Sequence, residues 1–208
     1  MKNKYKNICG IVLAGGKNSR YKGKDKTFLK IEQQTFYDKI IHILGNIFDE
    51  LIVITNSPDD FPKDNIPKHE DIIKDIGPLG GIHTALSKAK GADAIFIVAI
   101  DMPFINEEII RKMATIFTQQ DVDILIPKIK NNIEPLHAIY STGILEKLND
   151  YLKTTNVFSI RSFFKNINTK FFELEDTLIN KRFFLNINSQ DDYDKYIQSF
   201  STLNYNLE

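Results

Sequence analysis

Ile8-Cys9-Gly10-Ile11-Val12-Leu13-Ala14-Gly15-Gly16-Lys17-Asn18-Ser19-Arg20-Tyr21-Lys22-Gly23-Lys24-Asp25-Lys26 is the stretch on which the reading of this chain turns. Its first half is an apolar run dense in β-branched residues, the pattern of a buried strand. Its second half opens on paired glycines and continues with Lys, Ser, Arg, Gly and Lys. Gly15 and Gly16 carry no Cβ, so the backbone can take φ > 0 and come close to a ligand, letting successive N–H groups converge on phosphate oxygens. Arg20 offers a planar fork suited to two phosphate oxygens, and Lys26 a movable point charge that follows charge developing during reaction. A strand followed by an anion-binding loop is the opening of a nucleotide site. The plainer reading, a strand ending in a glycine turn with a solvated basic loop, stays open on the glycines alone; the basic residues and a third glycine, Gly23, weigh against it. The spacing of a P-loop is absent, and so is GxGxxG.

Outward from that loop, residues 36–48 place apolar side chains at Phe36, Ile40, Ile41, Ile43, Leu44 and Ile47, a helical period with Thr35 as N-cap. Glu50 to Asn56 reads as a second strand. The order strand, helix, strand implies a parallel pair, whose ligands gather at the carboxyl ends where Gly15 and Asn56 both fall. Residues 57–68, with Pro58, Pro62 and Pro67, read as a loop, and Asp71-Ile72-Ile73 as a short strand. Gly77-Pro78-Leu79-Gly80-Gly81 is a rigid turn before a helix expected over 82–90. Either it lets that helix pack tightly, or a ligand's ring or phosphate lies across it, with Gly80 on the site; the second reading is preferred. Ala94 to Ile100 is apolar on both faces, as a strand covered by helices on both sides must be. It runs directly into Asp101-Met102-Pro103. Pro103 stops the strand, turning the Asp101 carboxylate toward the cleft, while the helix expected over 106–117 has its own cap in Asn106.

Asp123 to Pro127 reads as a further strand, residues 142–152 as an amphipathic helix, and 171–185 as strand-like. Residues 183–192 read as a strand leading into a capped helix out to Phe200. His137 is read as structural, Glu134 as a weak site candidate, and Asn186 and Asn188 as either cleft residues or turn formers. The fold class is α/β, a Rossmann-like three-layer sandwich around a mostly parallel central sheet.

Composition bounds the function. The 208 residues suffice for a single domain, and 42% hydrophobic with 26% charged residues excludes a disordered or fibrous chain. With 27 basic and 27 acidic residues there is no global field to draw nucleic acid or an anionic membrane, so neither is expected as a partner. No apolar run approaches the roughly 20 residues of a membrane span. The basic N-terminus precedes a strand without a small-residue cleavage pattern, so no signal peptide is expected. The single cysteine, Cys9, fits a reducing cytoplasm and reads as a buried small hydrophobe. The fifteen Phe residues, with no Trp, read as core.

Leu13-Ala14-Gly15-Gly16, Ser19-Arg20, Gly23 and Asp25-Lys26 together resemble the LAGGxSxRMGxDK signature of nucleotidyltransferases, most closely the molybdenum cofactor guanylyltransferases. Tyr21-Lys22 stands where that family usually has a single Met. Further similarity runs through the Asp followed by Gly-Pro-Leu-Gly-Gly, through Asp101-Met102-Pro103, through Glu134 to Tyr140, and through Asn186 to Asp192. The resemblance implies a nucleotide-diphospho-sugar-transferase type of fold in one domain, 1–208, with a nucleotide-binding half (1–105) and an acceptor-binding half (106–208). It implies GTP bound by Leu13, Ala14, Gly15, Gly16, Lys26, Asn56, Asp71 (or Asp75), Gly80 and Asp101. Lys26, Arg20 and Asp101 would be catalytic, and Asp101 the ligand of Mg2+. The implied reaction transfers GMP to the terminal phosphate of a molybdopterin-type acceptor and releases pyrophosphate, with transient contacts to the proteins that supply the acceptor or take the product. A molybdopterin cytidylyltransferase, a sugar-phosphate nucleotidyltransferase and a non-catalytic nucleotide-binding accessory protein remain the alternatives.

Overall fold

A computed structural model describes residues 4–15, 20–21, 24–25, 30–31, 34–189 and 191–195, with the backbone alone at 20–21, 24–25 and 30–31. The chain begins with β1 (Tyr5–Leu13), then two short antiparallel pairs, β2 (Arg20–Tyr21) with β3 (Lys24–Asp25) and β4 (Lys30–Ile31) with β5 (Gln34–Thr35). Helix α1 (Phe36–Ile47) leads to β6 (Phe48–Ile54) and β7 (Lys68–His69); α2 (Pro78–Lys88) leads to β8 (Ala94–Ala99). Helix α3 (Glu107–Gln119) precedes β9 (Ile124–Ile129), β10 (Asn132–Ile133) and β11 (Ile139–Ser141). The remainder is α4 (Leu145–Thr154), α5 (Ile160–Phe164), β12 (Thr169–Glu173) and α6 (Leu178–Arg182).

The main sheet runs β10-β9-β11-β8-β1-β6-β7, with β12 paired to β9. Pairings β1/β6, β1/β8, β6/β7 and β9/β12 are parallel; β11 enters antiparallel between β8 and β9. The expectation of a mostly parallel sheet covered on both faces holds, and the alternation along the central strands shows why. Ile8 and Val12 of β1 and Phe96 and Val98 of β8 join a core with Ile40 and Leu44 of α1 and Ile110 and Met113 of α3. Cys9, Ile11 and Leu13, with Ile95 and Ile97, join the opposite core with Leu79, Ile82 and Leu86 of α2, Leu148 of α4 and Phe163 of α5. Successive side chains of a strand point to opposite faces, so a strand buried on both must be apolar throughout. Cys9 is buried as expected, and its thiol is pushed up to about 12 by burial and by Glu50.

The expected caps form: Thr35 Oγ1 accepts the Asp38 N–H at 3.1 Å, and Asn106 Oδ1 accepts the Ile109 N–H at 3.0 Å. Four local expectations are corrected. The helix expected over 82–90 begins at Pro78, so Pro78-Leu79-Gly80-Gly81 is its first turn and only Gly77 precedes it. Residues 71–73 are irregular, and the short strand lies just before them at Lys68–His69, where His69 O takes the Thr55 N–H. The run 171–185 is divided between β12 and α6, the latter capped by Thr177. Residues 185–188 join no ladder, so the expected strand there is an irregular strap, and helical backbone follows at 191–195. Among the described residues no helix is long and apolar enough to cross a membrane.

Candidate functional site

Three parallel strands end at one place. At the end of β1 the ladder continues one residue too far for the strand itself: Ala14 N–H donates to Ile54 O at 2.8 Å and Ile100 N–H to Leu13 O at 2.9 Å. Gly15 is therefore the first residue whose backbone the sheet does not consume, and it is exposed. At the end of β8, Met102 N–H donates to Ala99 O at 3.0 Å, closing a turn that carries Asp101 at its corner. Gly15 and Asp101 line the same cleft of about 750 Å3, the size range of nucleotide-binding pockets. Leu13, Ala14, Asn56, Asp71 and Asp75 line it too, with Gly77, Pro78 and Gly81 from the start of α2.

From the second half of the chain come Glu134, Leu136, Asn186 and Asn188. The two asparagines owe their position to alternation: Ile187 between them is fully buried against Phe36 and Phe104, and its N–H donates to Asp101 O at 2.7 Å. The strap is thereby fastened to the Asp101 turn, with both asparagines left on the cleft. Glu134 uses Oε1 to accept the Leu136 N–H at 3.0 Å. Burial raises its pKa above the ordinary carboxylate range; the Leu136 N–H opposes this, the Asp101 carboxylate adds to it, and Arg161 of α5 opposes it. Arg161 is a residue that the sequence reading missed, a single charged residue on a five-residue helix with no motif to mark it.

Asn56 and Asp71 act on each other. Asn56 Nδ2 donates to Asp71 Oδ2 at 3.0 Å, and the Asp71 N–H donates back to Asn56 Oδ1 at 3.2 Å. Asp71 Oδ1 is buried without a donor among the described residues. Gly80 is not on the cleft wall: a Cβ there would stand 2.6 Å from Ile73 O, so its role is to let α2 approach the segment bearing Asp71. Gly77 has φ 64° and ψ −150°, a conformation that side chains disfavour whatever the space around them. Gly77→Ala is accordingly expected to cost about 1–2 kcal/mol, read as a lowered denaturant midpoint.

His137 lies outside the cleft, fully buried, its ring 3.7 Å from that of Phe183 and edge-on to Phe96. Gly16 and Lys26 lie outside the described residues, as does the side chain of Arg20.

The described lining carries four carboxylates, Asp71, Asp75, Asp101 and Glu134, and no Lys or Arg. Such a wall repels a triphosphate unless a cation and a basic segment offset it. The donor set fits a hard divalent cation: it offers carboxylate oxygens and neither Cys nor His. No group of three or more His, Cys, Asp or Glu able to hold a metal occurs among the described residues, so phosphate oxygens of a substrate would complete the coordination.

Comparison with known proteins identifies relatives along nearly the whole chain. A probable molybdenum cofactor guanylyltransferase of Clostridium perfringens is 36% identical over 200 residues, covering 90% of this chain and 94% of the relative. The molybdenum cofactor guanylyltransferase of Syntrophotalea carbinolica is 33% identical, covering 89% of each. Among solved structures, molybdopterin-guanine dinucleotide biosynthesis protein A of Archaeoglobus fulgidus shares the fold with a TM-score of 0.73 at 22% identity, covering 93% of this chain and 99% of that one. A Mycobacterium tuberculosis protein solved with manganese shares it at 0.68 and 15% identity, covering 93% and 99%. The MobA-like NTP transferase domain matches residues 10–170, and on that match and these identities the chain belongs to the MobA-like nucleotidyltransferase family.

Proposed function

We propose that the protein transfers GMP from GTP to the terminal phosphate of a molybdenum-molybdopterin acceptor in the cytoplasm, with Mg2+ as the cation. The observation that carries this reading is the meeting of Gly15, Asp71 and Asp101 in one cleft with Glu134, Asn186 and Asn188 on its other side. Residues up to 105 form the donor half and those from 106 the acceptor half. Backbone N–H groups at the end of β1 cradle the triphosphate, and Asp71, held by Asn56, faces the base. Asp101 would hold Mg2+, which when bound would neutralise phosphate charge against the acidic wall. Lys26 and Arg20 supply the remaining positive charge in this reading. An oxygen of the acceptor phosphate attacks the α-phosphorus of GTP, the bond from that phosphorus to the bridging oxygen breaks, and pyrophosphate leaves with the electron pair. The nucleophile is already an anion, so the protein's part is to align it and to screen charge. Contacts with the proteins that deliver acceptor and remove product would be transient.

A thermal-shift panel of GTP, CTP, UTP and ATP with Mg2+ tests the donor. GTP at one hundred times its Kd should stabilise the protein by about 2.7 kcal/mol, raising Tm by about 5–10 °C, with no comparable rise from the other three. A larger rise with CTP would make it a cytidylyltransferase. Pyrophosphate release that requires both GTP and acceptor separates an enzyme from a binding protein.

A further inference from the structure

Residues 70–76 follow the last sheet hydrogen bond of their strand and belong to no helix or ladder. Asp71 is nevertheless fixed, because two consecutive amides in this segment are taken by side chains from opposite directions. Asn56, just beyond β6, accepts the Asp71 N–H, and Thr84 of α2 accepts the Ile72 N–H through Oγ1 at 2.9 Å. Thr84 is fully buried, on a helix that also buries Leu79, Ile82, His83, Ala85 and Leu86. A hydroxyl at such a position ordinarily turns back on its own helix. Here its acceptor capacity serves a residue twelve positions earlier in the chain.

We propose that Thr84 is a positioning residue for recognition of the donor base: by holding the Ile72 amide it sets the carboxylate of Asp71 against the wall where the base lies. The inference rests on reading that wall as the guanine site. A carboxylate only accepts hydrogen bonds, so it favours a base edge bearing N–H donors and disfavours one bearing carbonyl oxygens. Asn56 uses one acceptor direction of Oδ2 and leaves that oxygen's other direction for an N–H group of guanine, while Oδ1 is buried, without a donor among the described residues. Selectivity of this kind depends on the carboxylate not following the ligand. Two anchors, Asn56 on the side chain and Thr84 on the backbone, remove that freedom.

The test uses the full chain, molybdopterin acceptor and Mg2+, with pyrophosphate release measured for GTP and for inosine triphosphate, which lacks only the 2-amino group. The unsubstituted protein should prefer GTP by about 10- to 100-fold in kcat/KM. Thr84→Val, which keeps the shape and removes the hydroxyl, should raise KM for GTP about tenfold with kcat nearly unchanged and shrink the preference by a similar factor. Thr84→Ser should restore both values. If Thr84→Val does not fold, Thr84→Ala, which removes the hydroxyl with less bulk, gives the same readout. Wild-type KM and preference in the valine or alanine variant, or a lowered Tm with preference intact, would overturn the role. Absence of GTP turnover by the unsubstituted protein would overturn the guanylyltransferase reading itself. Turnover that uses inosine triphosphate equally well would leave that reading standing and remove Thr84 and Asp71 from base selection.

Discussion

Asp101→Ala is expected to lower pyrophosphate release by about a thousandfold or more, equivalent to about 4 kcal/mol of transition-state stabilisation. The size follows from the charge of the cleft wall. Its described side chains bring four carboxylates and no basic group, so a triphosphate meets an anionic surface wherever the cation is lost. Removing Asp101 takes away one negative charge but, on the proposed role, also the ligand that would hold the divalent ion, and the second loss would dominate because the ion would carry the larger charge at the reacting phosphorus. The fold should survive. What binds the strap to the turn is the backbone carbonyl of Asp101, which accepts the Ile187 N–H at 2.7 Å and is still present in alanine. Tm should therefore move by less than about 4 °C. Rates measured across a Mg2+ titration provide the check: a variant within tenfold of the parent rate, with unchanged metal dependence, would remove Asp101 from the reaction.

That Asp101 and Gly15 could be paired from the sequence, across more than eighty residues, has a physical basis. Parallel strands covered on both faces print as continuous apolar runs, so Ile8 to Leu13 and Ala94 to Ile100 announce themselves without partners. The first polar or glycine residue after each run then marks the ligand edge of the sheet. Caps are equally local, which is why Thr35 and Asn106 were legible. The features that were not legible are those decided by pairing at a distance. Nothing in Ile139-Tyr140-Ser141 says that these three residues insert antiparallel between β8 and β9. Residues 183–188 alternate like a strand, but among the described residues no strand receives them. Their apolar members are spent instead on two separate clusters, Phe183 against His137 and Ile187 against Phe36 and Phe104. Asn56 lies at the expected edge, yet its amide is engaged with Asp71, a pairing across fifteen residues that no spacing rule reveals.

Acid should destabilise this protein well above the range in which carboxylates titrate, and His137 is the cause. The ring is fully buried between Phe96 and Phe183, and both nitrogens lack a hydrogen-bond partner among the described residues. Burial pushes its pKa down to about 3, and the Phe183 backbone, close enough to favour the charged form, does not offset this. The folded protein thus refuses a proton that the unfolded chain accepts near pH 6.5. Between those values the unfolded state binds more protons, so stability falls as pH falls; the contribution of the neutral ring is complete above pH 6.5 and is lost progressively below it. At pH 4.5, two units below the unfolded value, the loss is about 2.7 kcal/mol from this residue alone, or roughly 5–10 °C in Tm for a chain of this length. His69 is depressed in the same direction by burial and Lys88, so the raw pH profile contains more than one histidine. His137→Leu isolates the term, since leucine fills nearly the same volume and leaves no polar atom unpaired. At pH 7 it should be neutral or slightly stabilising, and on moving to pH 4.5 it should lose about 2.7 kcal/mol less than the parent. Parallel profiles for the two proteins across that interval would mean that His137 gains its proton in the folded state, and with it a partner for the imidazolium inside the aromatic stack.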